Sequence, residues 1–239
     1  RTFISSEIKS GRSSGKNSSF FTFGENSLTP ILELSEPAFS RSHRSHRRFP
    51  ERLAFTLNNR IRSLINPPEQ LISKLNIGPN DVVVDFGCGP GFFTVPLAKV
   101  AGKTIAIDVS SQMLKRAASY AKKSGVMVEF IKSDGTEIRL QDESVDLILL
   151  YHVFHEVEDK PKVLSEFLRI MRPAGRLVVV EKTRGGSMFS GRLGPPIIDV
   201  MEVTREMERA GFAYVETIPY GKDSIIISQK MASALRHPS

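Results

Sequence analysis

Apolar residues in this chain gather in short runs, and the stretches between them space their apolar positions at the helical period, so that two kinds of segment take turns. Val82, Val83 and Val84 form a β-branched run that suits a strand buried on both faces better than an amphipathic helix. Similar runs predict strands near 104–108, 127–132, 145–151, 176–182, 213–219 and 224–229. Helices are expected from Phe92 to Val100 and near 111–124, 160–171 and 198–210. Ahead of the first strand, Arg52 to Ile65 reads as an amphipathic helix, and Pro67 to Leu75 as a second with proline in its first turn. Strands alternating with helices imply a parallel sheet with right-handed crossovers. The last two strands are joined only by Tyr220-Gly-Lys-Asp223 and should pair as a hairpin. The expected fold is therefore α/β, a doubly wound seven-stranded mostly parallel sheet closed by a C-terminal antiparallel hairpin.

Composition changes this picture mainly at the N-terminus. Residues 1–50 are Ser- and Arg-rich, broken by Gly and Pro, and without sustained periodicity, which predicts a disordered basic tail ahead of one domain over 51–239. Of the formal net charge of +7, the tail carries +4, so the domain itself has no strong nucleic-acid signal. The basic run Arg41 to Arg48 reads as a solvated linker. A single cysteine excludes an intramolecular disulfide and any multi-cysteine metal site. No apolar run approaches membrane-spanning length. A cytoplasmic location is the expectation, with organellar import as the alternative should the Ser- and Arg-rich tail belong to a transit peptide, against which its four Glu residues count.

The chemistry is concentrated after the first strand, in Asp81-Val-Val-Val-Asp-Phe-Gly-Cys-Gly-Pro-Gly91. Gly87, Gly89 and Gly91 let the backbone take positive φ and let a ligand approach the main chain closely. Asp108 ends the next strand, at a distance suited to accepting hydrogen bonds from both hydroxyls of a ribose. A dinucleotide fingerprint would place a third glycine at residue 92, which is Phe. Asp85 would also repel a pyrophosphate, whereas it could accept from ligand N–H groups or orient the loop toward a cationic cofactor. The sign of charge favours S-adenosylmethionine over NAD.

This segment resembles the first motif of the class I S-adenosylmethionine-dependent methyltransferases, in the small-molecule group that includes ubiquinone and menaquinone biosynthesis enzymes. The similarity continues through Ile105 to Leu114, Phe130 to Gly135, Ser144 to His152 and Leu168 to Glu181, covering roughly residues 66–230. The resemblance implies a Rossmann-like sheet with S-adenosyl-L-methionine as cofactor. It places Asp85, Gly87, Gly89 and Gly91, with Phe86 and Cys88 between them, around the methionine end and sugar of the cofactor. Asp108 matches the residue that holds the ribose diol, Val109 and Met113 the positions against the adenine, and Asp134 with the Gly135 backbone the pair that reads its edge. Tyr151 matches the position where donor meets acceptor. Ala174 departs from the more usual glycine, and Phe92 and Phe93 make the first helix bulky.

The remaining chemistry lies in Tyr151-His-Val-Phe-His-Glu156. Its spacing is not the helical His-Glu-x-x-His arrangement, and no metal is expected. His152 and His155 are instead the candidates for a catalytic base near the acceptor, where a neutral imidazole accepts a proton from a hydroxyl, amine or acidic carbon. The glycine-rich stretch Arg184 to Pro196 also carries Met188, Phe189 and Leu193, a mixture suited to a mobile lid. An in-line displacement on an activated sulfonium methyl needs chiefly positioning in a water-poor site, so the acceptor, expected to be a small or lipid-like molecule, is not specified by a catalytic motif. Two alternatives share these residues: a cofactor-holding module without turnover, and an NAD-dependent oxidoreductase.

Overall fold

The computed structural model describes residues 67–183 and 197–231, so the expected tail over 1–50, the helix over 52–65 and the lid over 184–196 lie outside the described residues. The chain runs α1 (Pro68–Lys74), β1 (Val82–Phe86), α2 (Thr94–Ala98), β2 (Lys103–Asp108), α3 (Ser111–Lys123), β3 (Glu129–Lys132) and β4 (Val145–Tyr151). A 3-10 turn (Phe154–Glu156) then leads to α4 (Lys160–Ile170), β5 (Met171–Lys182), α5 (Val200–Ala210), β6 (Phe212–Tyr220) and β7 (Asp223–Lys230). The seven strands form one sheet in the order β3-β2-β1-β4-β5-β7-β6. All neighbours from β3 to β5 are parallel, and β7 is antiparallel to both β5 and β6. The hairpin, the parallel core and the strand count follow the sequence pattern.

Alternation of side chains across the strands divides the core. On one face, Val84, Ile148, Leu150, Leu177 and Val179 pack with Phe167 of α4 and Met207 of α5. On the other, Val83, Leu147, Leu149, Val178 and Val180 pack with Leu71 and Leu75 at α1 and with Phe92, Phe93 and Leu97 at α2. Beyond β2, Ala106 meets Leu114, Ala117 and Ala121 of α3. Side-chain oxygens cap three of the helices: Ser110 accepts from the Met113 amide, Asp159 from Lys162 and Asp199 from Met201.

Two elements differ from the sequence expectation. The helix after β1 begins at Thr94 and has five residues, because Gly91 at φ +93° keeps the chain in turns through Phe93. A dipole so short offers a ligand little. β5 starts at Met171, ahead of the expected 176, with a break in register between Val145↔Met171 and Leu147↔Arg176. Pro173 cannot donate to the ladder and Ala174 sits at φ +62°, so this stretch bulges before regular pairing resumes.

β1 lies between β2 and β4, so successive crossovers leave it in opposite directions across the sheet. That reversal opens a crevice at the carboxyl ends of the strands, where doubly wound sheets bind ligands. The carboxyl ends of β1, β2, β4 and β5 and the start of β7 share this edge.

Candidate functional site

The glycine loop is fixed from below by β2: the Gly87 and Cys88 amides both donate to the Ile107 carbonyl, at 2.8 and 3.0 Å. Its glycines serve different needs. A Cβ on Gly87 would stand 2.4 Å from Val153 Cγ2, and one on Gly91 3.1 Å from Ala117 Cα. At Gly89, with φ +52°, a Cβ would meet nothing within 4 Å. Gly87 and Gly91 thus permit close packing beneath the loop, while Gly89 presents bare backbone to open space.

Two carboxylates hold the loop from different sides. Asp108 Oδ2 accepts from the Gly89 amide at 2.8 Å and Oδ1 from the Ser110 amide at 2.8 Å, tying the loop to the entry of α3. Asp85 is 3% exposed and accepts from Thr94 Oγ1 at 2.5 Å. Burial pushes its carboxyl up to about 7, against the Thr94 hydrogen bond and helped by the negative charge of Asp108.

The other expected cofactor residues line the same edge with varied engagement. Val109 is half-exposed and Met113 buried at the start of α3. Asp134 Oδ1 accepts from both the amide and the hydroxyl of Thr136, an Asx turn at the surface. Gly135, at φ +91°, packs under the Phe86 ring, 2.6 Å from where its Cβ would be, and its amide donates to Ser133 Oγ. The Phe86 ring itself turns into the core, edge-on to Phe167 at 5.0 Å. Cys88 is buried, and burial first, then the charges of Asp85 and Asp108, push its thiol well up, leaving an inert side chain.

The structure separates the two histidines. His152 follows Tyr151 at the end of β4, with φ +56° and its amide donating to the Val180 carbonyl at 2.9 Å. Its ring stacks on Tyr151 at 4.4 Å and 6°, and Tyr151 in turn meets Phe93 at 4.2 Å. Tyr151 OH donates to Asp223 Oδ2 at 3.2 Å, and His152 Nε2 lies 3.1 Å from the same oxygen. That approach lacks the direction of a hydrogen bond, so the buried Nε2 is in electrostatic contact only.

His155 has a different partner. Its Nδ1 lies 3.1 and 3.0 Å from the two oxygens of Glu181, and its own amide donates to Oε1 at 3.3 Å. Glu181 is fully buried and shares the strand face of Leu177 and Val179. Burial lowers the His155 pKa, but the hydrogen bond and charge of Glu181, with Glu156 beyond, outweigh it and the net movement is upward. Glu156 is pushed up by burial, by Glu181 and by Asp108, with His155 opposing. No group of three or more His, Cys, Asp or Glu among the described residues could hold a metal ion.

Three residues of this edge escape sequence reasoning: Thr94, Glu181 and Asp223. Thr94 sits in an apolar helix, Glu181 ends a motif read as strand, and Asp223 is read as the close of a turn. Only the register that pairs Asp223 with Lys182 and Tyr151 with Val180 brings Asp223 to the β4 end.

Comparison with known proteins agrees with this geometry. Residues 84–179 match the family model described as a methyltransferase domain. The chain is similar to a demethylmenaquinone methyltransferase of Mycobacterium marinum, 32% identical over 167 residues that make up 68% of this chain and 70% of the relative. It is also similar to a ubiquinone/menaquinone biosynthesis C-methyltransferase of Vibrio vulnificus, 29% identical over 108 residues, 43% of this chain and 42% of that relative's length. Against that second relative the chain spans less than half the length. Among solved structures, a SAM-dependent methyltransferase from Aquifex aeolicus superposes with a TM-score of 0.69 and 27% identity, over 76% of this chain and 99% of its own.

Proposed function

The chain belongs to the class I S-adenosylmethionine-dependent methyltransferases, and from that premise we propose that it methylates a small aromatic acceptor that bears a hydroxyl group, at a ring carbon, by in-line displacement. The observation that carries this reading is the pairing of an open cradle over Gly89 with the Tyr151, His152 and Asp223 cluster at the end of β4. The cradle suits a cationic nucleoside, and the cluster suits an acceptor that must lose a proton.

When bound, the cofactor supplies a methyl group already activated by positive sulfur. The residues proposed to hold it are Asp85, Phe86, Gly87, Cys88, Gly89, Gly91, Asp108, Val109, Met113, Asp134, Gly135 and Tyr151. Among them, Asp85 and Asp108 supply negative charge, the glycine loop supplies close backbone, and exposed Val109 with Met113 supplies an apolar wall. Phe86 and Cys88 are buried beneath the loop and shape it from below. Tyr151 lies between the rings of Phe93 and His152, an aromatic stack that makes an apolar corner at the β4 end where an aromatic acceptor would approach. The names of the relatives above include quinone precursors, which are rings of this kind.

The experiment is incubation of the full chain with labelled S-adenosylmethionine and a naphthohydroquinone lacking a ring methyl. Ring methylation seen by mass spectrometry supports the reading. Cofactor binding without transfer to this or any hydroxylated ring overturns the acceptor assignment.

A further inference from the structure

We propose that Asp223 is the positioning residue for His152, and that His152 receives the proton the acceptor gives up as it is methylated. The inference rests on the methyl-transfer reading above for its chemistry, and on the geometry of three residues for its assignment.

His152 is held from every side. Its φ of +56° is a conformation that few residues other than glycine adopt, and the Val180 carbonyl keeps it there through a 2.9 Å hydrogen bond. Backbone strain of this kind tends to be retained where a side chain must be aimed. The ring lies flat against Tyr151, 6° from parallel, which leaves it little freedom to turn about its own axis. Asp223, 5% exposed, then places Oδ2 at 3.1 Å from Nε2. Tyr151 OH donates to the same oxygen, fixing the carboxylate in turn.

This arrangement decides which nitrogen acts. The buried carboxylate 3.1 Å from Nε2 favours, through its charge and without an aligned hydrogen bond, the tautomer with its proton on Nε2, leaving the lone pair on Nδ1. It also stabilises the imidazolium that forms when Nδ1 takes a second proton. The acceptor's electron pair makes the new bond to the methyl carbon, the electron pair of the broken C–S bond stays on sulfur, and the acceptor's proton goes to His152 Nδ1. His155 is not placed for this. Its Nδ1 is occupied by Glu181, and its Nε2 faces Glu156, which feels the charge of Asp108 on the cofactor side.

The test combines a readout that needs no acceptor with one that does. Nitrogen NMR of the imidazoles in the full chain, compared with Asp223→Asn and Tyr151→Phe, reports the tautomer of His152 directly. The proton is expected on Nε2 in the wild type and spread over both nitrogens in Asp223→Asn, with Tyr151→Phe intermediate. In turnover with a naphthohydroquinone, Asp223→Asn should lower kcat by about 10- to 100-fold while KM and S-adenosylmethionine affinity stay within about twofold. A purely structural role would move affinity and folding together. A wild-type ring protonated on Nδ1, a tautomer unchanged by Asp223→Asn, or an unchanged kcat in that variant overturns the proposal. Should Asp223→Asn fail to fold, the wild-type tautomer and Tyr151→Phe decide it. A wild type that binds cofactor, shows the Nε2 tautomer and yet leaves the naphthohydroquinone unmethylated refutes the choice of acceptor and sustains the Asp223–His152 assignment.

Discussion

Thr94 Oγ1 donates to Asp85 Oδ2 at 2.5 Å, joining the first turn of α2 to the end of β1 beneath the glycine loop. The bond only partly offsets the cost of burying Asp85, whose carboxyl is held up at about 7 against an ordinary value of 3.8. Between those values the folded protein keeps a proton that the unfolded chain has lost, so stability falls as pH rises through this window. Above it the whole penalty is present. Asp85→Asn should therefore be more stable than wild type by about 2–4 kcal/mol near pH 8, the difference vanishing near pH 4. Urea denaturation at the two pH values checks this.

The same carboxyl links cofactor binding to pH. If Asp85 faces the cationic end of the cofactor, affinity should fall by up to about tenfold per pH unit below 7. Binding should release a proton, seen as a dependence of the calorimetric heat on buffer ionisation enthalpy. Asp85→Asn should bind weakly and lose this dependence.

Gly87 and Gly89 should respond differently to alanine. At Gly87 a methyl group would meet Val153 Cγ2 at 2.4 Å, with φ at +70°, and the predicted loss of stability is about 2–4 kcal/mol. Val153→Ala should restore the steric part alone. At Gly89 the methyl meets nothing, so stability should fall by only about 1 kcal/mol for φ +52°. Cofactor affinity should nonetheless fall at least tenfold, because the new methyl occupies the cradle. Equal effects on binding and stability at Gly89 would contradict a ligand above the loop.

Glu181 and His155 give a second pH signature in the same direction, here through a favourable interaction that is lost as pH rises. His155 has its pKa raised in the folded protein by Glu181, despite burial. The stability this contributes is complete below the ordinary value of 6.5 and is lost as pH rises through the folded value. Glu181→Gln should cost about 1–3 kcal/mol at mildly acidic pH and less in alkaline solution, as thermal unfolding across pH would show.

Ala174 tests the departure from glycine in the bulge before regular β5 pairing. It is exposed and sits at φ +62°, where its Cβ is a burden with no packing in return. Ala174→Gly should stabilise by about 0.5–1 kcal/mol net of the added freedom of the unfolded chain, raising Tm by a few degrees with unchanged cofactor affinity.

The architecture was legible because period and strand length are local properties. The valines of β1, the alternation after it and the short Tyr220 to Asp223 turn each specify an element without knowledge of its neighbours. The glycine loop and Asp108 were legible as a pattern, although their mutual bond through the Gly89 amide was not. Where reading stopped is equally physical. The start of α2 depends on φ at Gly91, and the start of β5 on a bulge at Pro173 and Ala174. The separation of His152 from His155 depends on which strands bring carboxylates to them. Glu181 and Asp223 lie far from these histidines in sequence, and nothing in a single chain's pattern marks a buried acid that becomes a neighbour only through β5 and β7 register.

The most direct test is calorimetric titration of the full chain with S-adenosylmethionine and S-adenosylhomocysteine, using NADH and Asp108→Ala as controls. The site described here predicts micromolar binding of the first two, no binding of NADH, and a loss of about 1–3 kcal/mol in Asp108→Ala. Absence of binding, or a preference for NADH, would contradict it.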